Sequence, residues 1–232
     1  VTAVARDSGF TDRATPDTRQ QYLGTVAGTN TPVAISGAVD SGTGSPPAGV
    51  VFDPREATAD RNAQRFGDAT SQEQTLVINS RLPLSAQSEF YAFGDFMRRR
   101  GDAAVFFRRP GDSRVVRTLW ADGFQPLLEA RIFSWNVAAG QRGHGEKWTY
   151  DAALTYGADT IAYDVDHSNN PTFGAQSPRS FYAGEQGYAE FSVSLDLSRP
   201  LPLGLAKPAA LGFGLEYRRE NFWTRAGDDA SW

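Results

Sequence analysis

The stretch WTYDAALTYG, residues 148–157, decides the fold class. Its even positions, Trp148, Tyr150, Ala152, Leu154 and Tyr156, are large or apolar, and its odd positions, Thr149, Asp151, Ala153, Thr155 and Gly157, are small or polar. Side chains alternate between the two faces of an extended chain, so this period of two predicts a strand with unlike faces. The signature recurs outward from there. Residues 188–198 set Phe191, Val193, Leu195 and Leu197 against Ser192, Ser194, Asp196 and Ser198. Residues 209–224 set Ala209, Leu211, Phe213, Leu215 and Tyr217 against Ala210, Gly212, Gly214, Glu216 and Arg218. Residues 128–141 set Phe133, Trp135, Val137 and Ala139 against Ser134, Asn136 and Ala138.

Three more strands are predicted at about 1–8, about 72–82 (Leu76, Ile78 and Leu82 on one face) and about 89–107, where alternation is blurred. The quoted stretch extends to about Asp166. No segment sustains a period of 3.6, so little or no helix is expected. Short connections fall near 83–88, 142–147 and 199–208, and long ones near 9–71, 108–127 and 167–187. They alternate, which sends every short connection to one end of the sheet and every long one to the other. That asymmetry belongs to outer-membrane barrels, with short periplasmic turns and long outer loops. The long segment 9–71, rich in Gly, Pro, Ser, Thr and Asp and including SGTGSPPAG, is expected to hold some short strand or helix of its own.

Strand length points the same way. Residues 147–166 would span about 65 Å at about 3.3 Å per residue, whereas ordinary strands run about 5–6 residues. In an up-and-down path the first and seventh strands run in the same direction and cannot close antiparallel. Single-chain bacterial barrels have even strand numbers. The expected fold is therefore all-β: an antiparallel up-and-down meander of about seven long strands, an arc of a larger transmembrane barrel filling residues 1–232. In that geometry Tyr150, Leu154, Phe191, Val193, Leu195, Leu211, Phe213 and Leu215 face lipid, while Asp151, Thr155, Asp196, Glu216 and Arg218 face the lumen. Trp148 reads as an interfacial girdle residue.

Composition limits the alternatives. Of 232 residues, 40% are hydrophobic and 12% aromatic, with 23 Gly and no Cys. Mean hydropathy is -0.43. A net charge of -4 lacks the basic footprint of a general nucleic-acid binder. The lack of Cys removes thiol catalysis, thiolate metal sites and disulfides. No run reaches the roughly 18 apolar residues of a transmembrane helix, which says nothing about barrel strands. The opening VTAVARDSGF has neither the charged start nor the apolar core of a signal peptide and reads as mid-strand, so the chain is expected to be a fragment.

Few residues propose chemistry. His144 and His167 are too far apart in sequence for a metal-site spacing. DVDHSNN (164–170) imitates the start of a calcium loop, but Asn169 replaces the required Gly and Ala175 the required Glu. GTGSPP has no Lys and no following helix, so it is no phosphate loop, and no G-x-S-x-G occurs. RRR (98–100), Arg108 and Arg109 form a basic cluster, read as a hydrated rim beside lipid phosphates or as an anionic-ligand contact. Arg108, Arg109 and Trp120 are the loop candidates for ligand contact. Asp196, Glu216 and Arg218 read as a structural ion-pair ladder. No catalytic site, cofactor or metal is expected, and the chain is not read as an enzyme.

Several stretches together resemble the barrel portion of TonB-dependent outer-membrane receptors. They are DPRE (53–56), RFGD (65–68), FYAFGDFMRRRGDAAVFFRRP (90–110), DGFQPLL (122–128), WTYDAALTYG (148–157), SPRSFYAG (177–184), LDLSRPL (195–201) and FGLEYRRENF (213–222). The resemblance implies an active transporter in the outer membrane of a Gram-negative bacterium, importing ferric siderophores or other scarce small molecules. Its implied partners are outer-membrane lipid, a small-molecule ligand, its own plug domain and, through that plug, the TonB energy-transducing complex. The plug and the TonB-contacting box have no counterpart in these residues, so the segment alone is expected to be inactive. The rival expectation is a soluble secreted or phage-type β-sandwich that binds carbohydrate. It differs in one feature: its apolar faces would pack on each other beneath a second sheet.

Overall fold

The computed structural model describes residues 1–34, 48–204 and 206–232. GTGSPP lies outside the described residues. Among the described residues ten strands form: β1 (Thr2–Ser8), β2 (Gly24–Val26), β3 (Pro32–Val33), β4 (Val50–Val51), β5 (Ser71–Pro83), β6 (Ser88–Ala104), β7 (Leu127–His144), β8 (Thr149–Asp166), β9 (Phe181–Leu201) and β10 (Ala209–Ala226). Seven of them make one sheet in the order β1-β5-β6-β7-β8-β9-β10, and β3-β2-β4 make a small second sheet within the first long connection. Every neighbouring pair in the large sheet is antiparallel. The sheet is a meander, open at β1 and β10. Among the described residues, helix is confined to three 3₁₀ turns, Pro54–Thr58, Pro171–Gln176 and Asp229–Ser231.

Strands form where the sequence alternates, with one instructive exception. β9 starts at Phe181 rather than near 188. Its first residues, FYAGEQG, do not alternate because a register shift opens opposite Tyr163 and Asp164. Tyr163 pairs with Gly184 and Asp164 with Tyr182, so Ala183 is the extra residue of a β-bulge. Gly184 takes φ 113°, which a side chain would resist. β6 ends at Ala104, three residues short of the expected end.

The register assigns the two faces. One row crosses the sheet as Ser80, Ala92, Ala139, Leu154, Val193 and Tyr217. The next toward the turns is Leu82, Phe90, Gln141, Ala152, Leu195 and Leu215. Tyr150, Leu197 and Phe213 follow, and Phe191 and Leu211 share the same face. This apolar face runs from Tyr150 to Ala158 along β8, about 26 Å at about 3.3 Å per residue. Aromatic residues stand at both of its ends, with Phe90 and Tyr217 between them. Tyr150 and Phe213 sit near the short turns, with Trp148 under the Arg199 guanidinium at 5.2 Å. Toward the loops, Phe96 stacks on Trp135 (centroids 6.3 Å apart), and Trp135 tilts against Tyr156 at 5.2 Å.

Nothing covers that face among the described residues. Leu154 is 53% exposed and Leu215 is 72% exposed. Burial is found instead among the long loops, where Tyr22, Val115, Phe124 and Phe181 are buried together with Gln20, Gln21, Glu56 and Ser177. Apart from Phe181, which opens β9, the sheet contributes only small buried side chains, Ala138, Ala162 and Ala189. A sheet with a bare apolar face and two unpaired edges recruits other strands. Residues 1–232 expressed alone in plain buffer should therefore aggregate, as read by sedimentation velocity. A monodisperse monomer that unfolds cooperatively would contradict this.

Candidate functional site

The polar face of the sheet meets the short turns in a hollow of about 720 Å³, lined by Glu89, Arg142, Asp151, Asp196 and Ser198. The ladder brings these residues together from four strands. Glu89 pairs with Arg142, Arg142 with Asp151, and Asp151 with Asp196. Arg142 closes an ion pair on Glu89 at 2.6 Å. The Tyr91 hydroxyl donates to Asp151 Oδ1 at 2.6 Å, and the Arg142 guanidinium lies 5.3 Å from the Tyr91 ring. Tyr91 reaches Asp151 by crossing Gly140, where an added Cβ would meet the ring at 2.5 Å. Glycine is needed there for close approach rather than for its backbone freedom. Asp151 and Asp196 stand directly opposite each other as like charges, an unfavourable cross-strand pair that a cationic partner would relieve.

Further along the same face, Arg218 is surrounded by Glu216 at 2.8 Å, Glu190 at 3.6 Å and Glu220 at 3.8 Å. The Tyr188 hydroxyl donates to Glu190 at 2.9 Å. Asn136 bonds to Asp95. Thr155 shares a row with Ala138, Ser192 and Arg218. Asp151, Thr155, Asp196, Glu216 and Arg218 thus occupy one face, with Tyr150, Leu154, Phe191, Val193, Leu195, Leu211, Phe213 and Leu215 on the other. Tyr91, Glu89, Glu190 and Glu220 were not singled out from the sequence. The register would have found Tyr91, but EFYAFGDF carries aromatic residues on both faces and hides its alternation.

The long loops form a layer at the opposite end, tied by polar bonds. The buried Glu56 carboxylate accepts the backbone N–H groups of Gln21 (3.0 Å) and Tyr22 (2.9 Å) and pairs with Arg61. Asp53 caps the 3₁₀ turn that presents Glu56 by accepting from the Arg55 N–H at 3.0 Å. Burial, together with the hydrogen bond to Asp122 at 2.8 Å, pushes the Tyr22 hydroxyl up to about 12. The loop candidates have local partners here. Arg109 donates to the Gln20 carbonyl at 2.7 Å. Trp120 donates through Nε1 to the Ser168 carbonyl at 3.1 Å and lies between Phe124, His167 and the Arg179 guanidinium. Arg108 pairs its backbone with Phe124 in an isolated bridge. DVDHSNN divides between sheet and loop layer: Asp164, still in β8, pairs with Arg131 of β7, while Asn169 bonds the Val116 N–H and the Arg114 carbonyl.

The basic cluster read from RRR divides. Strand alternation sends Arg98 and Arg100 to one face and Arg99 to the other, where it bonds Ser71 at 3.1 Å. Among the described residues no group of three or more His, Asp or Glu could hold a metal ion. Compared with known proteins, the chain matches no family model, no curated protein sequence and no solved structure.

Two predictions follow from the loop layer's bonds. Glu56→Ala strands the Arg61 charge and the Gln21 and Tyr22 N–H groups. Breaking one partner of such a buried pair costs about 3–5 kcal/mol. Hydrogen exchange read by mass spectrometry should then show lost protection in residues 9–34 and 48–70 with β5 to β10 unchanged. Uniform loss across the sheet would contradict this. The second concerns acid. At Asp112 the Arg114 side chain outweighs burial and holds the carboxyl at about 2. At Asp17 burial pushes upward, yet the hydrogen bonds from Arg19 and Gln21 prevail and hold it at about 2. Both folded values lie below the unfolded one, so their stabilisation is complete above about pH 4 and is lost as pH falls through about 2. Carboxyl-carbon NMR titration should give midpoints near the lower figure for both groups, and midpoints at the ordinary carboxylate value would refute it.

Proposed function

We propose that this chain is part of an outer-membrane β-barrel receptor that binds and imports a scarce nutrient, with energy delivered through a TonB-type complex. The observation that carries the reading is the uncovered apolar face, continuous across the strands and bounded by aromatic residues at both ends. A face of this kind suits lipid, with amphipathic rings at the two interfaces. The opposite face is rich in charge and hydrogen-bonding groups, as a hydrated lumen requires. Short connections at one end and a bonded loop layer at the other match the periplasmic and outer sides of such barrels. The receptor reading in particular rests on the resemblance of DPRE, DGFQPLL, LDLSRPL and FGLEYRRENF to that family. Ferric siderophores are the first substrate class it suggests.

In this reading the barrel holds more strands than these seven, since β1 and β10 run in the same direction. The hollow beside Asp151 and Asp196 faces the plug side of the lumen, and the loop layer faces the incoming ligand. The role is binding and passage rather than catalysis. A carbohydrate-binding sandwich would need a second sheet over Leu154, Phe191 and Leu211, and none lies there among the described residues.

Cell fractionation of the full-length gene product tests the membrane assignment. It should appear in the detergent-extractable outer membrane, and recovery as a soluble protein would overturn the reading. Growth of a deletion strain under iron limitation tests the substrate class. Slower growth on a ferric siderophore, restored by the gene, is expected. Unchanged growth on every siderophore tried would remove that class.

A further inference from the structure

The apolar face carries a second feature, at its loop-side margin between β1 and β6. A groove of about 500 Å³ runs there between Ala3, Leu76, Phe96 and Phe133, with Arg98 at its upper end. Small residues on β1 leave this space: Ala3 pairs with Leu76, Ala5 with Gln74. Directly above it, toward the loops, lies a polar groove of about 520 Å³ lined by Arg98, Arg100, Gln72, Gln74 and Asp7. The two grooves share Ala5, Gln74 and Arg98 and so form one continuous track, apolar below and charged above, where Arg6, Arg98 and Arg100 outnumber Asp7 and Glu73.

The charges in this region are unequally satisfied. Arg100 pairs with Glu129 at 2.6 Å, and Arg131 pairs with Asp164 at 2.6 Å. Asp7 is bonded by Gln72 at 3.5 Å. Arg98 is exposed and, among the described residues, has no ion-pair partner. Its cross-strand neighbours on this face are Gln74 and Phe133, neither of them acidic. A guanidinium above an aromatic and aliphatic groove matches one kind of molecule, an anion with a hydrocarbon chain. The planar fork suits the oxygens of a phosphate.

We infer that this track is a binding site for an anionic, phosphate-bearing lipid in the leaflet on the long-loop side. The headgroup phosphate lies on Arg98, with Gln74 and Arg100 beside it, and one acyl chain lies along Ala3, Leu76, Phe96 and Phe133. The inference rests on the membrane reading above. The lipid would lie against the flank of the β1–β5–β6 hairpins and hold that part of the wall to its leaflet.

Native mass spectrometry of the full-length protein from detergent, with phosphatidic acid or phosphatidylcholine added, tests this. The wild type should retain phosphatidic acid in preference to phosphatidylcholine. Arg98→Ala should weaken phosphatidic acid retention about tenfold or more, the effect of losing a charged hydrogen bond. Arg98→Lys should fall between, because lysine keeps the charge and loses the fork. Ala5→Phe, which narrows the track, should weaken retention of both lipids. Inorganic phosphate should not displace the lipid. Equal retention by wild type and Arg98→Ala, or full displacement by inorganic phosphate, would overturn the inference. A protein that enters the outer membrane but shows no lipid preference overturns this inference alone. One that never enters the membrane overturns both.

Discussion

The antiparallel ladder is the constraint on which everything else depends. Each strand must pair its N–H and C=O groups with its neighbours, and that pairing fixes which residues stand side by side on a face. Because the register from β5 to β10 holds with a single bulge, alternation within one strand becomes continuity across six. A slip of one residue anywhere would move Leu154 or Val193 among the charges of the opposite face. The pattern on neighbouring strands therefore selects one register. The bulge at Ala183 comes near the loop end of β9, beyond the stretch where the apolar face must stay continuous.

The sheet places little of its own surface out of solvent, and the long connections supply most of the large buried side chains. Their burial depends on polar ties more than on apolar bulk. Glu56 is the centre of this, because one carboxylate accepts backbone donors from two consecutive residues and also meets Arg61. Arg109, Trp120 and Asn169 then join the loops to one another. Arginine carbonyl bonds of this kind leave those side chains less open to an incoming ligand than their positions in the sequence suggest. Arg98 above the apolar groove is open by contrast, and around Arg218 three glutamates share one guanidinium.

The proposed uptake role would use three parts of the fold: an uncovered apolar face, a charged opposite face and a bonded loop layer at one end of the strands. Asp151 opposite Asp196 and the glutamates around Arg218 make the polar face acidic on β8, β9 and β10. A positively charged segment inside a barrel would be attracted to that side. On the other face, the same alternation that exposes Leu154 and Leu215 also creates the groove beneath Arg98. One geometric rule thus produces both surfaces.

The strand pattern was legible in the sequence because period two is a local property, visible wherever large and small residues alternate as they do in WTYDAALTYG. The turn and loop asymmetry was legible too, since it follows from counting connections. Three features were not. The early start of β9 was hidden by a bulge, which breaks the period. Which face receives Arg98 and Arg100 and which receives Arg99 depends on the register β6 adopts beside β7. The commitment of Arg109, Trp120 and Asn169 to loop packing arises from contacts between residues 48 to 89 positions apart. By itself, then, the sequence determined an antiparallel meander with one apolar face. Tertiary structure decided which charges are paired, which are open, and where the buried contacts lie, because those outcomes depend on partners that only the folded register brings within reach.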